Sequence, residues 1–259
     1  LLIILKIFKN MRFFLSSALI FMISLNSFSQ AWLDCGLKGG YGITNLINRS
    51  VWRESKIEPL ISTGHAYGGK LGLNFNINYQ VTLDFIAKSS NQRYLFEPTQ
   101  IIEKWEKNVN YTSFEIPLLF RHNSNNGSFL EIGPQISFLT GATETVASNS
   151  YNRKDYFESA NIGAVFGFGS FILGGDNAYL VFGLRIHYGL QDLLSNAGGK
   201  NSTNYFPINN GEMNVYESGF EFDSYQPTNP ISGLVYLEFN YDLAYLVRSS
   251  CKRTVLRFF

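Results

Sequence analysis

Between about Leu33 and Leu243 apolar side chains occupy every second position in eight separate stretches, while Gly, Asn and charged residues fill the other parity. A two-residue period belongs to β-strands, whose successive side chains point to opposite faces. Thr112 to Phe120 places Thr112, Phe114, Ile116, Leu118 and Phe120 on one face and Ser113, Glu115 and Pro117 on the other. Phe129 to Thr140, Asn161 to Ser170, Tyr179 to Gln191 and Val235 to Leu243 repeat the pattern. Three earlier strands run over about Leu33 to Thr44, Thr63 to Asn78 and Gln80 to Ser89.

The links between these strands alternate in length. Those at Asn78–Tyr79, Asn123–Gly127 and Gly174–Asn177 are short and rich in Gly and Asn, as hairpins require. Those at Asn45–Ser62, Ser90–Val109, Thr143–Glu158 and Asp192–Pro230 are long. Short turns on one side and long loops on the other predict an all-β, eight-stranded antiparallel up-and-down transmembrane β-barrel, with both termini on the periplasmic side. A soluble barrel with its apolar face inward would alternate equally well. The one-sided loops favour the membrane version, as do glycines on the polar face. So do aromatics near strand ends, Trp32, Tyr67, Tyr79, Tyr111, Tyr188 and Tyr241.

The start of the chain supports export. Arg12 precedes the apolar run Phe13 to Leu25, and Ser27 to Ala31 supplies small residues after it, so residues 1–30 read as a cleaved signal peptide with an upstream leader over 1–10. The run is too short to cross a bilayer as a helix. Residues 31–247 are then a single barrel domain and 248–259 a basic C-terminal tail. A net charge of +1 offers no field for nucleic acid, which is excluded as a partner. Outer-membrane lipid is the expected surrounding.

By parity the polar face carries Lys38, Lys70, Lys88, Arg121 and Arg185 against Asp34, Asp84, Glu115, Glu131, Glu238 and Asp242. Charges in so narrow a lumen need partners, and the space fills with side chains, so a packed polar plug is expected rather than an ion path. Arg121 is placed diagonally from Glu131 across a turn near Asn125, and His187 joins the lumen network with Glu238. A lipid-modifying enzyme would need a nucleophile, a base and an acid at the lipid surface. His65 and Ser89 share the outward parity, but pairing about Tyr79 sets Ser89 opposite Gly69, and no outward acid joins them. No catalytic residue, metal or cofactor is implied. Cys35 and Cys251 flank the closing strands, and their pairing is left open.

The longest loop, Asp192 to Pro230, mixes Asn, Gly and Ser with Tyr205, Phe206, Tyr216, Phe220, Phe222 and Tyr225 and several acidic residues. It is the candidate extracellular binding surface. Glu115 to Leu119 (EIPLL), Tyr188 to Asp192 (YGLQD) and Gly36 to Thr44 (GLKGGYGIT) resemble the PorT-like outer-membrane barrels of Bacteroidota, an OmpX-like eight-stranded architecture. The resemblance implies an outer-membrane location and, through the family's namesake, a part in type IX secretion. The expected role is binding, scaffolding or secretion, with an extracellular or secretion-machinery protein as partner; a small pore and a lipid-modifying enzyme are the alternatives.

Overall fold

The computed structural model describes residues 31–97, 104–146, 148–175, 177–208 and 221–245. Among them, eight long strands close a ring: β1 (Trp32–Ile47), β2 (Ser62–Asn74), β3 (Tyr79–Phe96), β4 (Trp105–Asn123), β5 (Ser128–Val146), β6 (Ala160–Gly174), β7 (Ala178–Gly189) and β8 (Asn229–Tyr245). Each pairs antiparallel with its chain neighbours, and β1 pairs with β8. The expected barrel is therefore the observed fold.

Paired residues followed once around the ring pass from Leu33 through Leu73, Val81, Phe120, Ile132, Phe166, Ile186 and Gly233 to Ile43, ten residues further along β1. A ring staggered in this way must have tilted strands and a narrow bore. Outward positions are apolar, with Leu37, Tyr67, Leu130, Ile132 and Phe239 all exposed, whereas the inward positions include the buried charges.

Turn chemistry differs from expectation at β2–β3. The Phe75 N–H donates to the Tyr79 carbonyl at 2.9 Å and Asn76 adopts a positive φ of 134°, so the turn centres on Ile77 rather than on Tyr79. Asn74 consequently faces Gln80, and Ser89 lies opposite His65, not Gly69. The β4–β5 turn centres one residue later than expected and sets Arg121 directly opposite Glu131.

The expected loops also shrink. Ser90 to Val109 is largely strand, because alternation continues through Gln92, Tyr94 and Phe96 on β3 and through Lys107 and Val109 on β4, all facing inward. The first long link holds helix α1 (Arg49–Arg53), capped by Asn48, and a short strand Ile57–Leu60 that extends the sheet beside β3. The third folds strand Asn149–Asn152 back on β5 and adds a 3-10 turn at Lys154–Tyr156. The β3–β4–β5 wall thus stands taller than the rest of the rim.

The signal segment, Tyr216, Phe220, Cys251 and the tail 248–259 lie outside the described residues.

Candidate functional site

The half of the lumen nearer the short turns is a closed charge layer. Lys38 reaches Asp84 at 2.7 Å and Glu238 at 2.8 Å, and Lys70 reaches Glu238 at 2.9 Å and Asp34 at 3.5 Å. Arg121 bridges Glu131 and Glu238, both at 2.9 Å, while Arg185 bridges Glu131 at 2.6 Å and Asp84 at 2.8 Å. Four cations therefore meet four carboxylates, and the side chains of Arg121, Lys70, Asp34, Asp84, Glu131 and Glu238 are wholly shielded from solvent. Buried charges persist only when paired and hydrogen-bonded in this way.

Polar neighbours complete the layer. The Tyr236 hydroxyl donates to Glu131 at 3.1 Å and the Tyr179 hydroxyl to Asp34 at 2.8 Å; Gln80 and Asn74 also donate to Asp34. Arg121 lies over the Phe129 ring, 4.3 Å from its centroid. Glycine makes room for the long side chains: a Cβ at Gly72 would stand 2.2 Å from Asp34 Oδ1, and one at Gly167 2.6 Å from Glu131 Oε1. Asp242, also buried, sits on β8 opposite Asp34.

Above this layer Lys88 pairs with Glu115 at 3.2 Å and donates to Ser232 at 2.8 Å. His187 is buried here rather than beside Glu238. It faces Ser232 across β7–β8, whereas Glu238 faces Val181, six residues away along the same strand pair. Two adjoining cavities of about 30 and 20 Å³ share Lys88, Glu115 and His187, each roomy enough for water.

The mouth is sealed by a hydrophobic cap. Tyr94, Phe96, Val109, Tyr111 and Ala142 on the raised wall pack against Leu46, Val51, Ile57, Phe157, Leu193, Leu194, Tyr205, Phe206 and Phe222. Tyr205, Phe206 and Phe222 were expected at an exposed binding surface. They are only 0%, 1% and 5% exposed and build the cap from within, because apolar rings above a narrow lumen bury more surface inward than outward. Tyr111, expected among the aromatics near strand ends, has inward parity and joins them.

Polar ties hold the cap in place. The Tyr225 hydroxyl donates to Asp192, whose other oxygen accepts from the Thr228 N–H at 2.9 Å. Burial, then this hydrogen bond, pushes the Tyr225 hydroxyl well above the ordinary tyrosine range, and burial raises that of Tyr205. Lys200, bound to Glu158 at 2.9 Å, is raised by that bond. Asn48 caps α1 through its Oδ1 and donates through Nδ2 to Thr228 Oγ1 at 2.9 Å and to the Gln226 carbonyl at 2.8 Å.

Sequence reasoning missed Lys107. It ion-pairs with Glu144 at 2.5 Å, donates to the Pro207 carbonyl at 2.7 Å, and sits between 5.7 and 5.9 Å from the ring centroids of Phe96, Trp105 and Phe206. Arg153 holds the other side of Glu144 at 2.6 Å. The available signal was the two-residue rhythm carried on past Val109.

The stagger of ten, the one-sided turns and the apolar outward band describe a membrane barrel. A family model described as the outer membrane protein beta-barrel domain matches residues 28–195. The chain belongs to this family. The outer membrane protein OprG from Pseudomonas aeruginosa is 11% identical, with 83% of this chain and 96% of OprG covered and a TM-score of 0.41. Neisserial surface protein A (NspA) is 10% identical over 82% and 99%, with a TM-score of 0.39. Ail, the attachment invasion locus protein of Yersinia pestis, solved in complex with the heparin analogue sucrose octasulfate, is 11% identical over 81% and 99%, with a TM-score of 0.37. No curated protein matches this chain. In an outer membrane β-barrel the short turns face the periplasm and the long loops the exterior, so the cap is extracellular.

Proposed function

We propose that this outer membrane β-barrel is a non-conducting, non-enzymatic anchor that presents its capped extracellular face to a protein partner, as a binding, scaffold or secretion-associated component of the PorT-like kind. One observation carries this reading: the lumen is closed twice, by the charge layer from Asp34 to Arg185 and by the aromatic cap over Tyr205 and Phe206. An ion crossing the layer would have to displace paired charges already neutralised at 2.6 to 2.9 Å. Outward His65 does face Ser89, but the outward carboxylate on the next strand, Glu106, is held by Arg93 at 2.5 Å, well above them.

Reconstitution into planar bilayers tests the reading. The expected result is no sustained conductance from the purified protein, together with a reproducible partner in pull-downs from outer membranes. A stable ohmic channel would overturn it, and a change in lipid A mass that depends on His65 would replace it with the enzyme.

A further inference from the structure

On the tall side of the barrel the outward face changes character within one residue pair. It is apolar up to Ala87, Phe114 and Phe138 and polar from Ser89, Thr112 and Thr140 onward, with Leu95 near the top of β3 the apolar exception. Leu130 to Phe138, eight steps along a tilted strand, accounts for about 20 Å of hydrocarbon contact, close to the full height of a barrel's apolar band. The switch line therefore marks the outer boundary of the hydrocarbon.

The wall does not stop there. Ser89 to Phe96 and Thr112 back to Trp105 add eight residues each, seven steps that give roughly 17 Å of further height at the usual tilt. Across the ring, β6 ends at Ala160, two residues past outward Ile162, and β7 at Gly189, one past Tyr188. One flank of the barrel thus holds a sheet face beside the headgroup layer of the outer leaflet, and the other flank does not. A phospholipid headgroup layer is only about 5–8 Å deep, less than half this height.

The chemistry of the face is amide and hydroxyl. Asn110 donates to Asn91 at 2.7 Å, Asn91 to the Thr63 carbonyl at 3.0 Å, and Thr140 to Thr112 at 2.9 Å, which fixes how these groups are presented. The charges above them cancel in the Arg93–Glu106 pair. Such a face has no field for a polyanion but many oriented donors and acceptors for hydroxyl groups.

We infer that this face of β3–β4–β5 docks the saccharide headgroups of outer-leaflet glycolipids, lying against Asn91, Asn110 and Thr112. The inference rests on the outer-membrane seating but not on the lumen being closed, so an ohmic channel would overturn the proposed function without touching it. The headgroup is held along the flank while its acyl chains contact Phe85 and Phe114 below, and the barrel takes a preferred orientation relative to the lipid around it.

The test refolds full-length protein into phospholipid vesicles with or without lipopolysaccharide truncated to its core sugars, and reads the temperature at which the compact, unheated gel band is lost. Wild type should gain several degrees with the glycolipid. A triple variant, Asn91→Ala, Asn110→Ala and Thr112→Ala, should match wild type in phospholipid alone, which shows that it folds, and should lose most of the gain. It should also retain several-fold less glycolipid by native mass spectrometry. An equal gain for the variant, an equal gain from an anionic phospholipid, or none for wild type would each overturn the inference.

Discussion

The charge layer and the cap are two buried interiors built on the same strands and held by different forces. In the layer every partner is a wall residue, and the ladder that pairs Arg121 with Glu131 and Lys70 with Asp84 also sets where their charges lie. Directional bonds suit such a place, since register decides geometry. In the cap, wall rings such as Tyr94 and Phe96 meet rings from loops that no ladder positions. Packing there is non-directional, tolerates small displacements, and needs Asn48, Asp192 and Lys107 to tie the loops down. The lower interior should fail as a unit and the upper one locally.

The largest expected effect comes from breaking the layer. Glu238→Ala leaves Lys38, Lys70 and Arg121 short of a carboxylate, and should destabilise the whole barrel by about 3–5 kcal/mol in urea titrations of the unheated gel band. Phe206→Ala should cost the cap about 3 kcal/mol, seen as faster proteolysis of the outer loops while the barrel band persists. If both variants lost the barrel together, the two interiors would be one cooperative unit. Lys107→Met removes the tie to Pro207 but leaves Glu144 bound to Arg153, so a smaller loss of about 1–2 kcal/mol is expected in the same protease assay.

The smallest effect is that of pH. Tyr205 and Tyr225 both have hydroxyls raised by burial, so the cap keeps their contribution below the ordinary tyrosine value of about 10 and loses it as pH rises beyond. Protease sensitivity of the loops should therefore increase only above about pH 10, and Tyr225→Phe should shift that onset.

Much of the barrel was legible because a two-residue period and turn residues are local signals, and membrane strands obey both. Parity alone turned Arg121, Glu131 and Glu238 inward. It could not show which carboxylate each cation meets, since Arg121 and Glu238 stand 117 residues apart and join only through ring closure. The turn at Ile77 was misread because Asn76, not the Asn78–Tyr79 pair, takes the left-handed backbone. The cap was misread for a different reason. Aromatics among polar loop residues look alike whether they face out or in, and only the inward rhythm of Tyr94, Phe96, Lys107 and Val109 showed that a raised wall waited to receive them.

Asn48 gives the fold an order in time. Its side chain joins the first loop to Gln226 and Thr228, 178 and 180 residues downstream. A contact of that separation forms late, since the chain between its ends must first be laid down and paired. Helix α1 therefore has its final lid partner only after β7 and β8 have met, and the exterior face is completed by the same event that closes the ring. A barrel stalled short of closure would show the exterior an unfinished face.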